Sequence, residues 1–458
     1  MIINRYSTEN RIVFGYRNLT ILILSTCLAI SFVIEDLSIF TLIENPGYGS
    51  LTSSTGWFFC LLLTTFFLRE LLNLLTVNKN RILLFFYFCL VITAVNLANN
   101  ELVIRGEFTY LKALKILFYF IMASLCAFVG FQLSRVANGW FIRFIGIVTL
   151  VLSAFGFYLD RFSSFDLANV SIFHATPNLL YRDRGFSDEP SSLALTILCS
   201  LVLIGFRLNT ILTSVILITG LSMVLLLVPS RASAPSVVMA LFIVIFSLLF
   251  RISRFPNKKR FSILVAVAII FSSFFLSKLL RLALWETRRQ SVSDATRSFW
   301  SELSLNSLIS FPFGCGLASS LTCVPDLAME MSSSATLSAR GDSIIELRKV
   351  IFSYNDFMLI PKTWIAILTI HFGLLGVYAA YRILCQSMNG LFSRQTGISH
   401  HLWRLIALTT IVSASLSTSR ITAWILFFVF GILIAHSGLK DIDYEGSNEL
   451  SRNDALTR

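Results

Sequence analysis

The chain has 458 residues, of which 55% are hydrophobic and 14% charged, with a mean hydropathy of +0.77. A soluble protein carries about 25% charged residues, so the polar surface here is too small to cover a water-soluble globule. The formal charge of +12 does not require nucleic acid, because lysine and arginine also mark the cytoplasmic loops of membrane proteins.

The N-terminal stretch MIINRYSTENRIVFGYR is polar and basic and has no small-residue cleavage site. It reads as a cytoplasmic tail rather than a removable signal peptide. Apolar segments then fall near 18–36, 55–77, 82–98, 111–133, 140–158, 191–206, 211–229, 235–251, 261–283, 360–382, 402–418 and 421–437. Many approach the roughly twenty residues that cross about 30 Å of hydrocarbon. The expected fold is an all-α polytopic membrane protein of about twelve transmembrane helices, without internal repeats or a soluble catalytic domain.

Charge sorts along this pattern. With the N-terminus inside, the inner loops hold Arg5, Arg11, Arg17, Lys79, Arg81, Arg135, Arg207, Arg251, Arg254, Lys258, Lys259, Arg260, Arg382, Arg394 and Lys440. Acidic residues such as Glu35, Asp36, Glu101, Glu107, Asp183, Asp188, Glu189, Asp326 and Asp342 fall on the outer side. The basic residues set the orientation, which places both termini in the cytoplasm. The tail 438–458 is polar, and its D-x-D at Asp441 and Asp443 has too little chain around it to form a nucleotide-sugar site.

Two outer loops stand out for length, 159–190 and 284–359. Long connections usually carry function. Within the second, 294–309 and 343–358 have helical patterns, the latter with Ile344, Leu347, Ile351, Tyr354 and Met358 on one face. FPFGCGL at 311–317 reads as a glycine turn, too short and isolated for a phosphate loop. Cys315 and Cys323 share this loop, where a disulfide and two free thiols are both open readings. Cys27, Cys60, Cys89, Cys126, Cys199 and Cys385 lie in or beside apolar segments as small core residues. No spacing suggests zinc, and no cofactor is expected.

Candidate chemistry gathers at the outer mouth. The stretch YRDRGFSDEPSSLAL (181–195) carries Arg182, Arg184 and Glu189 just before a helix that Pro190 is suited to open. Arg231, Lys278, Arg281, Arg288 and Arg289 fall on the same side. Arginine binds phosphate bidentately and is always charged, whereas snorkelling to headgroups explains single members. Positive charge on the outer side runs against the orientation rule and points to an anionic ligand. Lys362 opens the tenth segment at its outer end. In that segment Gly373 and Gly376 permit close helix packing, and His371 reads as a buried, hydrogen-bonded residue rather than a catalytic one. Arg69 and Glu70 are the main charges inside an apolar segment.

These pieces, in this order, resemble the O-antigen polymerase and O-antigen ligase superfamily of bacterial inner membranes. The resemblance rests on Arg182, Gly185, Glu189 and Pro190; on Ser230-Arg231-Ala232; on Pro312, Gly314 and Gly316 as a P-x-x-G-x-G turn; and on the helix from Lys362 to Gly373-Leu374-Leu375-Gly376. It covers roughly residues 180–380. The Glu-Pro form resembles repeat-unit polymerases. Ligases carry His-Asn where this chain has Lys362-Thr363, so the histidine credited with acid/base work in ligases has no counterpart.

The resemblance implies a metal-independent, GT-C-like glycosyltransferase that joins undecaprenyl-diphosphate-linked repeat units at the periplasmic face. Glu189 and Arg231 are the implied catalytic residues. Arg182, Arg184, Arg288, Arg289 and Lys362 are the implied substrate-binding cations, with Arg184 standing where the family has a small residue. Membrane lipids and a chain-length-regulating co-polymerase are the implied further partners. The rivals are an O-antigen ligase using lipid A core as acceptor and a lipid-linked oligosaccharide flippase or transporter.

Overall fold

Among the described residues, helices lie in the apolar runs near 18–36, 55–77, 82–98, 111–133, 140–158, 191–206, 360–382 and 421–437. The computed structural model describes residues 16–34, 56–104, 107–135, 139–162, 186, 190–208, 289–319, 321–332, 364–389 and 424–435, with short pieces at 212, 215–217, 220, 403–404, 406–408 and 410–411. The expected segments at 235–251 and 261–283, the helix at 343–358 and the tail 438–458 lie outside these residues.

The described chain is mostly helical. Its elements are α1 (Tyr16–Val33), α2 (Gly56–Phe66), α3 (Leu68–Val77), α4 (Lys79–Ala98), a two-stranded hairpin β1 (Val103–Ile104) and β2 (Glu107–Phe108), then α5 (Thr109–Arg135) and α6 (Trp140–Phe162). They continue with α7 (Pro190–Ile204), α8 (Arg289–Ser310), α9 (Cys323–Ser332), α10 (Trp364–Asn389) and α11 (Trp424–Ala435). Among the described residues α5 and α6 are long and apolar enough to cross a membrane, and several shorter apolar helices accompany them. These helices are those of a membrane-embedded protein.

One expected span takes a different form. The segment 55–77 breaks at Phe67 into α2 and α3, whose axes differ by 85°. The eleven residues of α2 rise only about 16 Å, roughly half the hydrocarbon thickness. The short hairpin pairs Val103 with Phe108 and Ile104 with Glu107, in the connection between the apolar segments 82–98 and 111–133.

Small residues let the helices touch backbone to backbone. A Cβ on Gly130 of α5 would strike the Phe428 carbonyl of α11, and one on Gly431 would strike the Ala127 carbonyl. On α6, a Cβ at Gly146 would stand 2.9 Å from both the Ser200 carbonyl oxygen and the Ile204 amide nitrogen of α7. Without a hydrophobic drive between helices in lipid, such close approach is what holds a bundle together. Four buried hydroxyls find partners within their own helices: Thr64 donates to the Cys60 carbonyl, Thr93 to Cys89, Thr149 to Ile145 and Ser200 to Thr196, each at 2.7 Å. This satisfies a polar group where no water is present.

Pro190 is the first residue of α7, as its fixed φ and missing N–H favour. Just before it, Phe186 is buried with Val33, and its ring lies where a Cβ on Gly156 of α6 would otherwise stand. In the long loop, α8 covers the expected 294–309 helix and extends beyond it to Arg289. With α9 it forms a separate apolar cluster containing Trp300, Leu303, Cys315, Cys323 and Leu327. That cluster packs on Ala366 and Ile370 of α10.

Candidate functional site: a glycine turn locked into a broken helix

The turn FPFGCGL follows α8 and threads against α10. Its backbone takes the place of helical hydrogen bonds that α10 gives up. Cys315 N–H donates to the Ile370 carbonyl at 2.8 Å, and Gly316 N–H to the His371 carbonyl at 3.1 Å. In return Leu374 N–H donates to the Pro312 carbonyl at 2.8 Å. The exchange requires α10 to open, and it opens at Gly373, with φ 55° and ψ −137°. Gly314 and Gly316 are likewise at positive φ, 88° and 76°. Only glycine accepts such backbone and such contact cheaply.

Gly373 therefore differs from its expected role. Its missing side chain admits the turn rather than a neighbouring helix. Gly376 faces the Leu368 carbonyl of its own kinked helix.

His371 sits one residue before Phe372 and the break, and it is 3% exposed. Its Nδ1 lies 2.9 Å from the Gly316 carbonyl oxygen and 2.7 Å from Ser319 Oγ. A carbonyl only accepts, so Nδ1 carries the proton and shares it between these oxygens. Nε2 then holds the lone pair. Phe120 of α5 packs edge-on against the imidazole, with ring centroids 6.3 Å apart at 89°. Lys112, buried near the start of α5, is within electrostatic reach of the ring. The expectation of a buried, hydrogen-bonded histidine is met, with one oxygen supplied by the turn and the other by Ser319 just after it.

Two further ties fix the turn. Thr93 Oγ1 of α4 accepts from Leu317 N–H at 3.2 Å, and Gly316 packs on the Thr93 backbone. Cys315 and Cys323 form a disulfide that joins the turn to the start of α9, resolving the choice left open by sequence. Among the described residues no cluster of three His, Cys, Asp or Glu side chains is placed to hold a metal.

Of the residues singled out by sequence, Arg182, Arg184, Glu189, Arg231, Arg288 and Lys362 lie outside the described residues. Arg289 is the first residue of α8, and its side chain lies outside them too. What the structure does bring together is the pair of glycine motifs, Pro312–Gly316 and Gly373–Gly376, about sixty residues apart in sequence. Thr93 and Ser319, to which the sequence assigns no role, hold the turn and the His371 ring respectively, and Lys112 lies within electrostatic reach of that ring. A lone hydroxyl or lysine in an apolar run carries no sequence sign of so distant a partner.

No protein-family model matches the chain, and no curated protein shows significant similarity to it.

Proposed function

We propose that the chain is an O-antigen repeat-unit polymerase: a glycosyltransferase that moves a growing glycan from undecaprenyl diphosphate onto a new lipid-linked repeat unit. The observation that supports this reading best is the interlock of the glycine turn with the break in α10. These are two of the four motifs in the resemblance, and their backbones are hydrogen-bonded to each other. Motifs that meet in space form a unit, which scattered matches need not do.

In the proposed reaction the acceptor hydroxyl forms a bond to the anomeric carbon of the donor glycan, and the bond from that carbon to the diphosphate oxygen breaks. Glu189 orients the hydroxyl and takes its proton. Arg182, Arg231 and Arg288 or Arg289 hold the diphosphate and stabilise its charge as it departs. The reaction takes place at the periplasmic face of the inner membrane, with both chain termini cytoplasmic and a co-polymerase setting chain length.

Alanine at Arg231 or Glu189 is expected to abolish polymer while leaving a single capped unit on a lipopolysaccharide gel. Full-length ladders from both variants would sink the assignment. A second reading, a lipid-linked oligosaccharide transporter, draws on the break in α10 beside buried His371 and Lys112, since transporters use discontinuous helices. Deleting a transporter or a ligase leaves no capped unit, whereas deleting a polymerase leaves one.

A further inference from the structure

The helix α3, LRELLNLLTV, does not have the surroundings of half a transmembrane span. None of its residues is buried, and it turns away from α2 by 85° at Phe67. Its sequence divides around the helix, except at its last residue, Val77, which falls on the polar side and is 69% exposed. Leu68, Leu71, Leu72 and Leu75 follow one another at steps of three, one and three, with Leu74 beside them. Arg69, Asn73 and Thr76 follow at steps of four and three on the opposite side, with Glu70 adjoining. Leu68, Leu72, Leu74 and Leu75 are 40–52% exposed, while Leu71 alone leans on the bundle core.

We infer that α3 lies in the plane of the membrane, at the boundary between headgroups and acyl chains, with its leucine face in the lipid and its Arg69–Asn73–Thr76 face in water. Three observations select a phospholipid surface as the occupant of the leucine face. First, the face continues directly from α2, an apolar helix without a charged residue, so the chain reaches α3 from inside the bilayer. Second, a helix at 85° to α2 gains almost no depth along it, and holding the charges of Arg69 and Glu70 at mid-bilayer is costly. An in-plane position removes that cost and still buries the leucines, the defining balance of an interfacial helix. Third, Lys79 and Arg81 open α4 two and four residues beyond the end of α3. The stretch 68–81 therefore has three cations against Glu70 alone, a balance that suits anionic headgroups. The anomaly of Arg69 and Glu70 within an apolar segment disappears, because in this placement the chain leaves the hydrocarbon at Phe67; the 11 residues of α2 then cover one half of the bilayer, with Gly56 at mid-depth.

The test uses the full chain reconstituted in vesicles of phosphatidylethanolamine and phosphatidylglycerol. Leu72→Cys, Asn73→Cys, Leu75→Cys and Thr76→Cys are each spin-labelled, and the signal of the parent chain, with its native thiols, is subtracted. Collision with dissolved oxygen reports lipid, and collision with a water-soluble nickel chelate reports water. Labels at 72 and 75 are expected to favour oxygen, and those at 73 and 76 the nickel chelate. Oxygen preference at all four positions would place α3 within the bilayer core and overturn the inference. Low collision with both reagents at 72 and 75 would mean a protein surface, such as a second copy, covers the leucines, and would overturn it equally. A benzophenone side chain at the same positions gives an independent reading: lipid adducts from 72 and 75 support the placement, and protein adducts there refute it.

Discussion

Gly314 and Gly373 stand backbone to backbone, each with a positive φ, 88° and 55°. A Cβ on Gly314 would meet the carbonyl of His371, and one on Gly373 would meet the carbonyl of Pro312. The two glycines are thus one device: the turn can enter only because the helix opens, and the helix can open only because the turn supplies its hydrogen bonds. Without Leu374 N–H reaching Pro312 and Cys315 N–H reaching Ile370, the break would leave buried backbone groups unpaired, at about 1–3 kcal/mol each.

Gly373→Ala tests this device. The conformation at φ 55°, ψ −137° costs a side-chain-bearing residue about 1–3 kcal/mol, and the contact with Pro312 adds to it. Thermal unfolding of the detergent-purified protein is expected to show a loss of at least that size. An unchanged transition would mean that α10 closes into a regular helix without harm.

His371→Leu is expected to cost about 1–3 kcal/mol by leaving the Gly316 carbonyl and the Ser319 hydroxyl short of a partner. His371→Asn places an amide N–H near the position of Nδ1 and should recover part of the loss. For the proposed polymerase, the same pair of variants separates structure from chemistry. If the imidazole only holds the turn, polymer on a gel tracks the folded amount in both. If Nε2 takes part in proton transfer, the asparagine variant folds but makes no polymer.

The apolar helices are legible from run length and punctuation alone, α5 and α6 most clearly, because a continuous apolar stretch of that length has few other uses. The bend at Phe67 is hidden in segment 55–77, since its leucines continue the hydropathy without interruption. The clue is the change in pattern after Phe67, where Arg69, Asn73 and Thr76 line one face. His371 is readable as buried because it lies deep in an apolar run. Its partners are not, because Ser319 and Gly316 belong to a turn about fifty residues earlier in the chain. The glycines at 314 and 316 announce a turn, yet only the folded chain shows that Gly373 receives it. The disulfide escapes the sequence for a related reason: the spacing of Cys315 and Cys323 is visible there, but neither their approach nor their burial is.

Replacing Cys315 and Cys323 together by serine removes the tie between the turn and α9. The bridge closes a loop with a sequence separation of 8, for which chain entropy gives about 2–3 kcal/mol. Unfolding with and without reductant is expected to differ by that amount in the parent chain and not at all in the double variant. Both cysteines are buried, at 2% and 6% exposure, so reduction should require unfolding, and non-reducing peptide maps of the native protein should show the linked pair.

Gly156→Leu probes how the stretch before α7 is anchored. Phe186 is 8% exposed and is the one described residue between Arg182 and Pro190. It fills the notch left by Gly156, against Phe155 at a ring distance of 6.4 Å. A leucine at 156 takes that space and drives the ring out, forfeiting about 1.5–3 kcal/mol of burial. Phe186→Ala alone empties the notch, at about 3–5 kcal/mol. In the double variant the leucine occupies the space the ring has left, so the combined loss should be smaller than the sum of the two. Additive losses in thermal unfolding would show that the two side chains do not share a site. The proposed enzyme adds a second readout, because Glu189 lies three residues after Phe186. Gly156→Leu should therefore shorten or abolish the polymer ladder by more than its loss of folded protein explains, and a ladder scaling only with folded protein would remove Phe186 from any part in positioning the motif.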